Sequence, residues 1–135
     1  MLFRLGSRIY GVDLDQVREI IPFRRATRLP GAPPFVCGLI NLRGTIVTVI
    51  DLGARLDGGA SVRTGGSVIL VEYGAKLVGL AVDEALEVQH LPDADVDATP
   101  SDGGGSGGAI RAVGRLGDTV VILLDAEEIV RQVLL

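Results

Sequence analysis

Residues 5–20 read LGSRIYGVDLDQVREI and residues 73–88 read YGAKLVGLAVDEALEV, and the two segments lie over one another at a constant offset of 68. Gly6 meets Gly74, Gly11 meets Gly79, Asp15 meets Asp83 and Glu19 meets Glu87. Arg8/Lys76, Ile9/Leu77, Val12/Leu80, Leu14/Val82 and Ile20/Val88 keep their chemistry. A second block follows at an offset of 74, with TIVTVIDL (45–52) over TVVILLDA (119–126). Preserved order in two blocks marks two copies of one β unit: a hairpin, an acidic turn, then a second hairpin that ends in Asp and a helix. The copies, 1–66 and 67–135, imply two similar small barrels. Each holds only about 65 residues and is marginal alone, so the two are expected to intertwine around a shared apolar seam within one 1–135 domain.

The composition supports a β-rich chain. Of 135 residues, 47% are hydrophobic and 22% charged, which is enough apolar mass for a packed core. Glycine occurs 19 times, about twice its usual share of ~7%, so the chain turns often. Short β-branched runs recur between the glycines: 8–14, 39–42, 45–52, 67–73, 76–82, 110–116 and 119–124. Helical signals are few. They are a turn at 15–19, a short piece at 34–38, another at 52–56, and a final helix in which Asp125 caps Ala126-Glu127-Glu128-Ile129-Val130. Residues 102–108, DGGGSGG, read as a flexible loop, since they lack the lysine and following helix of a phosphate-binding loop.

Several function classes fall away on the same evidence. The single cysteine, Cys37, removes a disulfide framework and any multi-cysteine metal site. Thirteen Lys and Arg against seventeen Asp and Glu give a net charge of −4, which argues against a phosphate-tracking nucleic-acid surface and for protein partners. The longest apolar runs, 77–82 and 120–124, are far short of a membrane span. Without a signal-like N-terminus, a cytoplasmic location is expected. His90 is the only histidine and stands apart from Cys37 without a nucleophile motif, so neither a catalytic pair nor a metal or other cofactor site is expected.

One enzymatic pattern has to be weighed. Duplicated β lobes that each place an aspartate after an apolar strand, Asp51 and Asp125, resemble the plan of an aspartic-type hydrolase, in which two carboxylates share a proton. The hydroxyl residue that should follow each aspartate is replaced by Leu52 and Ala126. Helix capping accounts for both positions more simply. Binding features are stronger: Asn41-Leu42-Arg43-Gly44 suits a tight hairpin that projects a guanidinium, either solvated or a forked anchor for a partner's carboxylate. In the next strand Thr48 shares a face with Ile46 and Ile50 by period two, so that face is a contact surface or the seam between the two copies.

The stretch GLINLRGTIVTVIDL (38–52), preceded by Tyr10-Gly11-Val12-Asp13, Val17-Arg18-Glu19-Ile20 and Arg28-Leu29-Pro30, resembles the CheW family of chemotaxis coupling proteins. Val78-Gly79-Leu80-Ala81-Val82-Asp83 and Gly114-Arg115-Leu116-Gly117-Asp118 through Asp125 extend the likeness over the whole chain. The departures are Thr48, where the family often has proline, and Ala112, where it often has glycine. The resemblance implies two SH3-like five-stranded barrels around a shared hydrophobic core. It also implies a non-enzymatic adaptor joining a chemoreceptor cytoplasmic tip to the regulatory domain of a CheA-type histidine kinase, without direct membrane insertion. Matching positions assign Val17, Glu19, Gly38, Arg43 and Val88 to the receptor and Ile46 to the kinase. A paralogue that binds a kinase and no receptor, the hydrolase, and a small-ligand module are the alternatives.

Overall fold

The structure, a computed structural model, describes residues 1–57, 65–89, 96–98 and 110–134; His90 and the glycine-rich segment 102–108 lie outside the described residues. In chain order the elements are β1 (Leu2–Leu5), β2 (Arg8–Gly11), a 3-10 turn (Leu14–Gln16), β3 (Val17–Pro22), β4 (Val36–Leu42), β5 (Thr45–Asp51) and α1 (Leu52–Asp57). The second half adds β6 (Ser67–Tyr73), β7 (Lys76–Val82), β8 (Glu84–Ala85), β9 (Val96–Ala98), β10 (Ile110–Leu116), β11 (Thr119–Leu124) and α2 (Ala126–Leu134). Alternating apolar residues between glycine turns produce strands here because each strand can bury one face or both.

The strands form a six-stranded sheet, β8-β1-β2-β11-β10-β9, and a five-stranded sheet, β3-β6-β7-β5-β4. Both draw on both halves of the chain. The first hairpin of the first copy (β1–β2) joins the second hairpin of the second copy (β10–β11), and β6–β7 joins β4–β5 in the same way. The junctions are the two parallel pairings, and their registers correspond: Gly11 stands opposite Leu123 and Gly79 opposite Val49. On the other side of the same glycines, Leu2 faces Gly11 and Leu70 faces Gly79. These neighbours close over the glycines. A Cβ on Gly11 would stand 3.2 Å from Leu123 Cδ2, and one on Gly79 would stand 2.7 Å from Val68 Cγ1.

The sheets are not the closed five-stranded barrels that the resemblance implies. Hydrogen bonding around a barrel would require the edge strands β3 and β4 to pair. Instead Thr27, in the connection between them, exchanges two 2.8 Å backbone hydrogen bonds with Leu39 and so occupies the edge of β4. In the other sheet β9 occupies the corresponding edge of β10, with Asp97 opposite Val113. Two local expectations are also corrected. The turn read at 15–19 is confined to Leu14–Gln16, and the piece read as helical at 34–38 is the entry to β4. Residues 17–22 pair with β6 because the register shift between Val17 and Glu19 lets a segment without clean alternation follow the ladder, and Pro22 sits at the end of an edge strand, where a missing N–H is tolerated.

Two apolar clusters follow. Ile21, Ile40, Leu42, Val47, Val49, Val68, Leu70 and Ala81 fill the inside of the curved five-stranded sheet. Phe3, Tyr10, Ile50, Leu52, Ile69, Val71, Val78, Leu80, Val82, Leu124, Ile129 and Val130 form the larger core, which takes residues from both sheets and from α1 and α2. Strand β6 is therefore buried on both faces, Val68 and Leu70 in one cluster and Ile69 and Val71 in the other. The larger cluster draws on both halves of the chain, while the smaller one lies within the five-stranded sheet.

Unfolding should accordingly be one cooperative transition, with calorimetric and van't Hoff enthalpies equal; two separate melts would show that the halves do not depend on one another. Gly38 gives a sharper check on the edge of β4. Its φ is +138°, and a Cβ there would stand 2.1 Å from the Thr27 carbonyl oxygen. Gly38→Ala should cost at least about 2 kcal/mol in denaturant unfolding.

Candidate functional site

The β4–β5 hairpin turns on two residues, Arg43 (φ 51°) and Gly44 (φ 89°), between the paired Leu42 and Thr45. Positive φ at both positions is the type I′ turn, whose twist matches the flanking strands. The Asn41 carboxamide oxygen accepts a 2.8 Å hydrogen bond from the Gly44 N–H. Glycine suits such a turn, and the other three antiparallel hairpins place Gly6, Gly74 and Gly117 there with φ of 60°, 61° and 64°. Arg43 is the only non-glycine residue with positive φ among the described residues. Holding an L side chain in that region costs about 1–2 kcal/mol, so the guanidinium is placed at the tip against local preference.

The guanidinium folds over β3. Its Nη2 donates to Glu19 Oε1 and its Nη1 donates to Glu19 Oε2 at 3.3 Å, a two-pronged pair between the turn and the opposite edge of the sheet. Both side chains remain substantially in solvent, 67% exposed for Arg43 and 37% for Glu19. The hydrogen bond from Arg43 holds the Glu19 carboxyl below its ordinary range, and the same bond raises Arg43. Arg24 reaches the same corner, donating to the Asn41 carbonyl oxygen at 3.4 Å.

The remaining residues assigned from sequence are dispersed. Val17 opens β3 half-buried against the large core, so most of its surface supports packing. Gly38 is buried beneath Thr27 and shapes the edge of β4. Val88, 57% exposed, follows β8 on the other sheet, where Leu2 and Glu87 continue the pairing with β1. Ile46, 61% exposed, stands opposite Asn41 on the outer face of β5, whereas Val47, Val49 and Ile50 are fully buried. The face shared by Ile46, Thr48 and Ile50 thus runs from solvent at Ile46 into the core at Ile50. Of the six, Glu19 and Arg43 are the pair in contact.

The repeat also relates two further exposed apolar residues to the assigned ones. Ile20 (41% exposed) and Val120 (54%) sit at the repeat positions of Val88 and Ile46, and the 68- and 74-residue offsets were the signal for them. The departure at Ala112 is accommodated, since it pairs with Ala98 of β9 and carries its Cβ where Gly38 cannot.

Asp51 and Asp125 are helix caps. Asp51 Oδ1 accepts from the Ala54 N–H and Asp125 Oδ1 from the Glu128 N–H, both at 3.1 Å, the N3 bond of an N-cap aspartate. Nothing in these contacts supports a shared-proton dyad. A cavity of about 310 Å³ beside the β1–β2 turn is lined by Leu5, Gly6, Ser7, Arg8, Tyr10, Gly53 and Asp83, and Asp83 there accepts from the Gly6 N–H. No cluster of three or more His, Cys, Asp or Glu side chains suited to a metal occurs among the described residues. No described helix is long and apolar enough to cross a membrane.

Two similarly ordered, interlocked sheets that present a strained, ion-paired hairpin arginine define a duplicated β binding module. A family model described as "CheW-like domain" matches residues 1–134, and the chain belongs to that family. It is 32% identical over 131 residues to the chemotaxis protein CheW of Klebsiella aerogenes, covering 96% of this chain and 79% of that one. It is 38% identical over 99 residues to CheW of Rhizobium meliloti, covering 73% of this chain and 64% of the relative. Among solved structures, the scaffolding protein TtCheW of Thermoanaerobacter tengcongensis superposes with a TM-score of 0.83 at 29% identity, covering 92% of this chain and 86% of that one.

The hairpin pair makes a separable claim about stability and charge. Arg43→Gly should leave the fold intact and raise its stability by up to about 1 kcal/mol, because relief at the turn outweighs glycine's greater freedom when unfolded. In that variant the Glu19 carboxyl, followed by NMR, should titrate back up toward its ordinary range. The sign for the wild-type pair is that of a carboxylate whose value is lowered by folding. Its contribution to stability is present above the ordinary carboxylate pKa and is lost as pH falls through the lowered folded value.

Proposed function

We propose that this chain is a non-enzymatic coupling adaptor of a chemotaxis-type array, which holds a chemoreceptor cytoplasmic tip on one surface and the regulatory domain of a CheA-type histidine kinase on another, in the cytoplasm. Membership of the CheW-like family over the whole chain supports the class. The observation that carries the two-surface reading is Ile46: in a strand whose other β-branched apolar residues are buried, it alone is 61% exposed. An isoleucine in that setting contributes nothing to the core and is suited to an apolar contact with another folded domain.

The receptor surface is assigned to the Arg43–Glu19 corner, with Val17 at the start of the same strand and Val88 on the neighbouring sheet. Arg43 presents a planar fork that can exchange its intramolecular carboxylate for one on a partner, and Glu19 can accept from a partner's cation. Gly38 acts indirectly, by letting the preceding connection lie flat on β4. No bond is made or broken in this function. The chain serves as a rigid body between two interfaces, and a bias at one reaches the other through the packed sheets.

Separate titrations against a receptor cytoplasmic fragment and a kinase regulatory domain test the assignment. Ile46→Asp should weaken kinase-domain binding by tenfold or more, on the order of 1.4 kcal/mol at least, by placing a charge in an apolar contact, while receptor binding persists. Glu19→Lys should do the reverse. Arg43→Ala should weaken receptor binding by about 1–3 kcal/mol with little change in melting temperature. Loss of both partners in either single variant would show that the surfaces are not independent. Binding of the kinase domain with none to receptor fragments would identify a kinase-only paralogue.

A further inference from the structure

The chain is acidic overall, yet the connection from β3 to β4 concentrates positive charge: Phe23-Arg24-Arg25-Ala26-Thr27-Arg28. This connection is held at several points. The Phe23 N–H donates to the Gly66 carbonyl at 3.0 Å, Phe23 and Ala26 pack against the inner cluster of the five-stranded sheet, and Thr27 is bonded twice to Leu39. Gly38 lies directly beneath the Thr27 carbonyl. With the small and apolar side chains turned inward, Arg24, Arg25 and Arg28 are all exposed.

Most arginines elsewhere are engaged. Arg4 pairs with Asp83 and Glu84, Arg18 with Glu72, Arg111 with Asp13, Arg131 with Glu128, and Arg55 lies over the Phe35 ring. Among the described residues, Arg25 and Arg28 have no ion-pair or side-chain hydrogen-bond partner. They share this connection with Arg24, which reaches the Arg43–Glu19 corner through Asn41, and Leu29, 46% exposed, follows Arg28 in the chain. Exposed guanidiniums on a backbone held in place make a local positive patch on an otherwise acidic chain, and the partner that complements such a patch carries carboxylates. The adjoining exposed leucine adds an apolar contact that a bare polyanion does not use.

We propose that the 23–28 connection is a docking surface for an acidic protein segment, in which Arg25 and Arg28 take carboxylates of the partner and Leu29 takes an apolar side chain beside them. The surface goes beyond the receptor and kinase contacts above and does not depend on them.

A fluorescein-labelled peptide of repeating Glu-Glu-Leu, titrated with the full chain by anisotropy at low and at physiological salt, tests it. Binding should be measurable at low salt and fall as salt rises. Arg25→Glu/Arg28→Glu should weaken it by about tenfold or more, while Arg8→Glu/Arg115→Glu, which makes the same change in net charge on the other sheet, should change it by less than about threefold. Circular dichroism should show both variants folded. If the charge reversal impairs folding, Arg25→Gln/Arg28→Gln replaces it, with a loss of at least about threefold expected. Absence of binding, equal weakening in the two double variants, or tighter binding to phosphatidylserine vesicles or single-stranded DNA than to the peptide would overturn the proposal.

Discussion

The parallel pairings of β2 with β11 and of β5 with β7 are the constraint on which the rest of the structure depends. Each joins a hairpin from one half of the chain to a hairpin from the other, so neither sheet exists until both halves are present. The same two glycines recur at the junctions, Gly11 and Gly79, with a leucine or valine side chain closing over each. A larger residue there would push the joined hairpins apart at the point where the registers are set. Parallel pairs need long crossovers, and here each crossover is supplied by the exchange itself. The larger core lies where the crossovers meet, which is why it takes side chains from both sheets and both helices.

Much of this was legible in the sequence. Four strands, Ser67–Tyr73, Lys76–Val82, Ile110–Leu116 and Thr119–Leu124, have the bounds that their alternation and glycine punctuation indicate. The caps at Asp51 and Asp125 were legible because an acid before a helix has a local purpose. What could not be read is non-local. A repeat shows that two hairpins are alike, yet nothing local says whether each pairs with its own copy or with the other. Strand β3 was obscured because its register shift breaks the alternation on which the reading relies. The open edges were equally hidden, since they depend on Thr27 reaching Leu39 across a connection with no strand pattern. At the site, Arg43 was legible as a hairpin tip, whereas its pairing with Glu19 joins opposite edges of a sheet and required the curvature.

That curvature has a consequence for the edges, which are the places where another chain could add a strand. On the five-stranded sheet the Thr27 bridge takes part of the β4 edge, and the Arg43–Glu19 pair closes over the corner between β3 and the β4–β5 turn. The ion pair is exposed and adds little to stability, while the positive φ of Arg43 detracts from it. Arg43 therefore costs more as a turn former than it returns as an ion pair, and backbone strain of this kind clusters at functional sites, which supports the contact proposed for it.

Strand β5 connects that surface to the interior. At its start Ile46 stands in solvent. Two residues on Thr48 is half-covered, and two further Ile50 is sealed in the core shared by both sheets, just before Asp51 caps α1. On its inner face Val47 and Val49 are fully buried, and Val49 closes over Gly79 at the parallel junction. A load applied at the exposed end of this strand therefore bears on the junction between the halves, because a close-packed interior has no slack in which to absorb it. A scaffold that must report one contact to another gains from such a route. The interlocking of the two halves thus ties the outer face of β5 to the seam through one close-packed strand.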